Sequence, residues 1–383
     1  MSKVTVEEKE ISLPKWNPLI NSQGKVNGIL KFTMSNTNVS IANALRRTIL
    51  SDIPTVIIKD INIINNNSQF NNQILEQRLG MIPLNIDPDE PNMNDLIKNL
   101  QLIIEENNDG DELKYITTGH FMLYEKTAEK YVAESTLKNI FLKNKITKEH
   151  ILFCRLKPKL SNEIPGENIN IKANLGIGTA SEKGCYNVVC TCAYGFTPDK
   201  SLIHSERQKY EESLTEKGII EKDIEDHLTN WDNHNYKRYY LKDSFDFSIE
   251  SIGIFKESKI IFKACNIINF GLQKIKQNED EKHYTYKKNN IALENSVDIV
   301  LNNIDYTLGK LLEFIIYQEY FINQKVLSYC GFLKPHPHED DSIIRIAFNK
   351  EKNFTDDNIE NIIIDSCGVG QQIFTSIQSD FSQ

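Results

Sequence analysis

From Asn38 to Pro54 the apolar positions recur at helical spacing. Placed about 100° apart around an axis, Ile41, Ala42, Ala44, Leu45, Thr48 and Ile49 share one broad face. Asn43, Arg46, Arg47 and Leu50 lie on the other. Asn38 predicts an N-cap, since its side chain can accept a backbone N–H of the first turn. Pro54 excludes a helical conformation for Ile53 and ends the helix near Asp52. The first face is a core stripe. The second is either a solvated helix back or a docking face, because arginine beside an apolar anchor is typical of interface cores.

Around this helix the pattern reads as strands. Gly28 to Met34 alternates and leads into the helix; Thr55 to Ile63 is β-branched and follows it. Asn65 to Asn72 reads as a loop, and Ile74 to Leu79 as a short helix stopped by Gly80. From about 85 to 240 short candidate strands alternate with polar loops: 100–105, 119–125, 150–156, 169–176 and 185–193. This reads as an inserted α+β subdomain. Residues 198–242 are charged and mostly helical, and Trp231 to Tyr240 mixes aromatic with basic residues. Interleaved Glu and Asp favour a solvated helix there over a nucleic-acid surface. Strand alternation returns at Phe245 to Gly253.

Ile260, Ile261, Ala264, Ile267, Ile268, Leu272 and Ile275 then mark a long helix, in which Gly271 permits close approach of a neighbour. Lys276 to Lys288 has no apolar pattern and reads as a linker. A second unit follows: a strand within 291–301, a helix with Leu308, Leu311, Leu312, Ile315 and Ile316 on one face, strands at 326–332 and 342–348, and a final helix from Asp357 to Phe381 through Ile373 and Ile377.

Composition narrows the function classes. The chain has 383 residues with a net charge of −9 and is 40% hydrophobic. That suggests two or three domains and disfavours nucleic-acid binding by the whole surface. No stretch approaches the roughly 18 apolar residues of a membrane helix, and the N-terminus lacks an apolar signal region, so a reducing compartment is expected. The seven cysteines are irregularly spaced. Cys190 and Cys192 alternate within a strand and are expected on one face, as buried thiols rather than zinc ligands. His336 and His338 share a turn and lack a third ligand.

Three blocks together carry a resemblance: Ala42-Asn43-Ala44-Leu45-Arg46-Arg47, Ile53-Pro54-Thr55 and Glu76-Gln77-Arg78-Leu79-Gly80-Met81-Ile82-Pro83-Leu84. They resemble the assembly-platform subunit of cellular RNA polymerases: bacterial alpha, archaeal D and the third-largest subunit of RNA polymerase II. Phe153 to Lys157, Ile169 to Ala173 and Phe245 to Gly253 resemble it more loosely. Thr307-Leu308-Gly309-Lys310-Leu311-Leu312, Gly331 and Pro335-His336-Pro337 resemble archaeal L and the eleventh subunit of RNA polymerase II, although His338 stands where leucine is usual. Both in one chain resemble the fused subunit of large nucleocytoplasmic DNA viruses.

The resemblance implies an α+β fold of two alpha-like dimerisation units, each a sheet with packed helices, forming an intramolecular pseudo-dimer. The expected division is an arm (1–23), a discontinuous D-like domain (24–60 and 243–275), an insert (61–242), a linker (276–288) and an L-like domain (289–383). It implies docking of the large subunits through Asn43, Arg46, Arg47, Leu50, Glu76, Arg78, Leu79 and Gly80. It also implies a pseudo-dimer seam of Ile260, Ile261, Ala264, Ile267, Ile268, Leu272, Leu308, Leu311, Leu312, Ile315, Ile373 and Ile377.

The implied function is a non-catalytic subunit of DNA-directed RNA polymerase, an assembly platform for two large catalytic subunits with small subunits as further partners. DNA and RNA would be met only through the complex, and no membrane is involved. A viral chain would act in host cytoplasm or nucleus, with packaging in virions a further expectation; a cellular one would act in the nucleus. No cofactor is expected in the chain. Magnesium would belong to the large catalytic subunit, and the four-cysteine zinc loop of some relatives is replaced by Asp87-Pro88-Asp89-Glu90-Pro91. No aspartate cluster, phosphate loop, nucleophile elbow or His-Glu-x-x-His motif supplies chemistry. Two other readings stay open: an interaction scaffold of the same fold outside the polymerase, and a nucleic-acid module using residues 207–240.

Overall fold

The computed structural model describes residues 4–8, 29–144, 146–161, 163–277, 283–288, 293–349 and 356–381. In chain order they form β1 (Thr5–Glu8), β2 (Ile29–Ser35), α1 (Val39–Ser51), β3 (Thr55–Asn66), α2 (Asn72–Gly80), α3 (Met93–Asn99), β4 (Leu100–Asn107), β5 (Lys114–Thr117), β6 (Met122–Glu125), β7 (Lys130–Tyr131), α4 (Glu134–Ile140), β8 (Leu152–Leu156), β9 (Asn168–Gly178) and β10 (Val189–Pro198). There follow α5 (Lys200–Glu216), α6 (Glu221–His234), β11 (Tyr240–Ser251), α7 (Glu257–Gln277), β12 (Tyr284–Lys288), β13 (Ser296–Leu301), α8 (Tyr306–Ile316), a π-helical turn (Tyr317–Asn323), β14 (Leu327–Leu333), β15 (Ser342–Phe348) and α9 (Asp356–Asp380).

The first sheet has the order β1-β2-β11-β10. Phe32 faces Phe247 across it, and the two rings stack at 4.9 Å. Alternation in β2 sends Phe32 and Met34 into the core and leaves Lys31 outside. The α1 helix lies against this sheet for the reasons its sequence predicts. Asn38 Oδ1 accepts the Ser40 N–H at 2.9 Å, and Ile41, Ala42, Ala44, Leu45, Thr48 and Ile49 are buried.

The second sheet has the order β12-β13-β15-β14. It repeats the first: edge strand, inner strand, helix, outer strand, inner strand, helix, in the same chain order and with the same neighbours. Its cross-strand pair Arg345–Asp298 is bidentate, at 2.6 and 2.8 Å. One continuous core joins both sheets through α1, α7, α8 and α9, and includes Phe32, Ile261, Leu312 and Phe374.

A separate core fills the insert. Its sheet runs β3-β9-β4-β6-β7, with β5 and β8 paired beside it and α2, α3 and α4 packed on it. This insert is displaced from the expected 61–242. Val56 and Ile58 at the start of β3 already belong to its core, and β9 closes it at Gly178. The chain re-enters the first sheet as β10, and α5 and α6 are a hairpin between β10 and β11.

Other expectations are corrected. Val4 is buried and Thr5–Glu8 pair with β2, so part of the arm is a strand. Tyr284–Lys288, read as linker, pair with β13. The strand expected over 291–301 covers Ser296–Leu301, with 289–292 outside the described residues. Gly80 lies inside α2, whose C-cap is Met81. Cys185 sits in a 3₁₀ turn; a register shift between Val189 and Thr191 leaves Cys190 exposed while Cys192 is buried.

Candidate interaction surfaces

The outer face of α1 is built by two arginines with different tasks. Arg46 Nε and Nη2 donate to Asn43 Oδ1 at 3.1 and 2.8 Å, which fixes the guanidinium along the helix. Arg47 turns the other way. Its Nε donates to Thr307 Oγ1 and its Nη2 to Asp305 Oδ2, both at 2.9 Å. Asp305 is the N-cap of α8, its Oδ1 accepting the Thr307 N–H at 2.9 Å. Arg47 therefore joins the two units, a task not foreseen for it, while its side chain stays partly exposed. Leu50 is half-buried against the first core.

The Glu76–Gly80 block divides as well. Glu76 is exposed. Arg78 donates to the carbonyls of Phe153 at 2.7 Å and Leu152 at 3.0 Å, and stands 5.5 Å from the Phe70 ring centre. Leu79 and Gly80 are buried; Leu79 belongs to the insert core and cannot touch a partner, whereas a Cβ on Gly80 would meet nothing within 4 Å. Helical periodicity explains this: Leu75 and Leu79 form the inward stripe of α2.

The residues expected at the seam come together. Ile260, Ile261, Ala264, Ile268 and Leu272 of α7 are buried in the same core as Leu311, Leu312 and Ile315 of α8 and Ile373 and Ile377 of α9. Ile267 and Leu308 are half-buried against it. A Cβ on Gly271 would stand 2.8 Å from Leu308 Cδ1, and one on Gly370 would stand 2.8 Å from Leu272 Cδ1. Small residues thus let the helices close on each other. Polar contacts unseen in the sequence tie α7 to α9: Gln371 Nε2 donates to Gln273 Oε1 at 2.9 Å and to Asn269 O at 3.3 Å.

A buried lysine escaped sequence reading. Lys263 of α7 is 4% exposed. Its Nζ donates to Asp87 Oδ1 at 2.7 Å and to Asp89 Oδ2, and lies 4.8 Å from the Phe255 ring centre. Lys259 also pairs with Asp87. The 87–91 loop, which follows the Ile82-Pro83-Leu84 stretch, is thereby tethered to α7. Burial raises the Asp87 pKa, but hydrogen bonds from Lys259 and Lys263 outweigh it and leave the carboxyl below its ordinary value. The i, i+4 spacing of Lys259 and Lys263 was the available signal, hidden within an apolar stripe.

At the other end of α1, burial and then the Asp305 carboxylate push Asp52 above its ordinary pKa, against the Thr48 hydroxyl and Arg47. Burial pushes the thiols of Cys154, Cys192, Cys330 and Cys367 up to about 12, which leaves them neutral and poor nucleophiles at pH 7. Among the described residues no group of three or more His, Cys, Asp or Glu side chains could hold a metal ion. Trp231 is buried, with the rings of Tyr210 and Tyr239 stacked at 6.5 and 5.9 Å. It offers no open platform for a base.

Comparison with known proteins places the chain in a family. Residues 31–270 match the RNA polymerase Rpb3/Rpb11 dimerisation domain. The chain is 27% identical over 301 residues to the DNA-directed RNA polymerases I and III subunit rpac1 of Dictyostelium discoideum, covering 68% of this chain and 84% of that protein. It is 23% identical over 282 residues to human RPAC1 of polymerases I and III, covering 62% and 78%. It is 23% identical over 260 residues to the DNA-directed RNA polymerase subunit Rpo3 of Methanosphaera stadtmanae, covering 62% and 90%. The domain match ends within α7, so the second sheet lies beyond it.

Proposed function

We propose, given that the chain belongs to the RNA polymerase Rpb3/Rpb11 dimerisation-domain family, that it is a non-catalytic subunit of a DNA-directed RNA polymerase and the platform on which the large catalytic subunits assemble. One observation carries the reading furthest. Two units of identical sheet order share a single core through four helices. The first unit matches the family, and the second supplies in the same chain what a dimerisation domain requires, a partner of like topology.

This supports a fused pseudo-dimer of the kind the sequence resembles in large nucleocytoplasmic DNA viruses, acting in host cytoplasm or nucleus. Joining the units makes their association intramolecular, with an effective concentration in the millimolar range for a short tether. The platform surface centres on Asn43, Arg46, Leu50 and Glu76, with Arg47 shared with α8 and Leu79 committed to the insert core. Arg78, which is half-buried, braces α2 against β8. Small polymerase subunits are further partners, and DNA, RNA and the catalytic Mg²⁺ are met only through the complex.

A tagged chain expressed with the polymerase of its source should recover both large subunits in equimolar amounts. Arg46→Glu should fold with an unchanged circular dichroism spectrum and lower that recovery about tenfold, as loss of an interface arginine does. Recovery of the folded wild-type chain without either large subunit would leave a scaffold outside the polymerase as the reading.

A further inference from the structure

A cavity of 360 Å³ opens between α2 and β8, lined by Gln69, Phe70, Arg78, Leu152, Cys154 and Arg155. Two guanidinium groups line it and no carboxylate does. Arg78 is held by its Nε and Nη2, while its Nη1 makes no hydrogen bond among the described residues. Arg155 stands 5.4 Å from the Tyr115 ring centre and has no ion pair among the described residues. Tyr115 and Arg155 face each other in the β5–β8 register, which holds the pair in place. The Cys154 thiol remains neutral and cannot offset the two charges. Leu152 of the lining is exposed, as are Ile151 beside it in the chain and Tyr115 against Arg155.

In a chain with 53 acidic and 44 basic residues, two arginines lining one cavity with no carboxylate in the lining run against the average; the acids that act on Cys154 are engaged elsewhere, Glu106 with Lys114 and Glu167 with the Lys157 N–H. Like charges brought together are stabilised by an incoming anion. The aromatic and aliphatic rim favours a dry contact around that anion. Arginine on an aromatic face beside apolar groups has the composition of an interface centre. A nucleic-acid strand would need a row of basic groups following its phosphates, and no lysine lines this cavity.

We infer that this cavity receives a segment of another polymerase subunit, in which an aspartate or glutamate stands next to an aromatic or aliphatic residue. The carboxylate sits between Arg78 and Arg155, and the apolar neighbour covers Leu152 and Tyr115. This site lies on the insert, away from the α1 face, and its occupant rests on the polymerase reading above.

The test places the photocrosslinker benzoylphenylalanine at position 115 of the full chain within the assembled polymerase. Irradiation should link it to a peptide of another subunit that carries an acidic residue beside an apolar one. Arg155→Glu, an exposed change, should lower the yield about tenfold, and Arg155→Lys should restore part of it. Crosslinks to nucleic acid, to a second copy of this chain, to a peptide without an acidic residue, or to nothing would overturn the inference, as would a yield indifferent to Arg155→Glu. Recovery of the large subunits before irradiation separates this failure from that of the polymerase reading.

Discussion

Arg47 in the first unit and Asp305 in the second meet at 2.9 Å, across 258 positions of sequence, at the point where α8 begins. The guanidinium binds the cap of the neighbouring unit's helix, so one contact serves both the joint and the helix start. Their side chains are 39% and 50% exposed, and solvent screens the pair. A double-mutant cycle with Arg47→Ala and Asp305→Ala should give a coupling of about 0.5–1 kcal/mol that shrinks in 1 M salt. Asp305→Ala alone should cost about 1 kcal/mol more than Arg47→Ala, because it also removes a cap. Urea unfolding measures both.

Leu312 is buried where α8 enters the shared core. Leu312→Asp places an unpaired carboxylate there and should cost several kcal/mol, a large part of a domain's stability. Cleavage near Lys282, outside the described residues, should leave the two units associated, since the helices and not the tether hold them. Sizing chromatography of the cleaved protein at micromolar concentration reads this directly; separation into two peaks would refute it.

The Lys263–Asp87 contact predicts an acid-sensitive step. The folded pKa of Asp87 is lowered, so its contribution is present above the ordinary carboxylate pKa and is lost as pH falls through the folded value. Asp87→Asn should flatten the fall of stability below pH 4 and lower stability at pH 7. Lys263→Met should be the more damaging change at pH 7, because it leaves the Asp87 carboxylate without its buried partner. Thermal unfolding between pH 3 and pH 7 checks all three statements.

Asp52 predicts the opposite sign. Its folded pKa is raised, so the stability linked to it is present below the ordinary carboxylate pKa and is lost as pH rises through the folded value. Asp52→Asn removes the repulsion with Asp305 and should raise the melting temperature at pH 7 while changing little at pH 3. A lower melting temperature at pH 7 would contradict it.

Much of this architecture was legible because the core faces are periodic. The six inward residues of α1 follow from spacing alone, as do most of those of α7 and α8; Lys263 and Cys265 of α7 are buried outside the predicted stripe, and Ile267 and Leu308 within it are half-buried. The boundaries of the insert were not legible. β3 is one uninterrupted strand whose first residues serve the insert core, and no composition change marks where β9 hands over to β10. The role of Arg47 at the joint was not legible because periodicity reports which residues leave their own core, not whether another part of the chain waits outside. Leu79 was misplaced because motif membership does not distinguish a contact from the framework behind it. Lys263 was hidden because a lysine in an apolar stripe looks like an interruption until its two aspartates are in view.

The pairing of Phe32 with Phe247 sets a timetable for synthesis. At roughly 5–20 residues per second, β11 leaves the ribosome some ten to forty seconds after β2. Within that interval β3 through β9 emerge complete and can close their own core. The first half of the platform meanwhile exposes the inner faces of β2 and α1, and its helical seam stays open until α8 and α9 arrive. The insert is thus an early-folding island inside a late-folding sheet. A ribosome stalled far enough past Gly178 for β9 to have cleared the exit tunnel should carry a protease-resistant 55–178 fragment and an unprotected 29–51 segment.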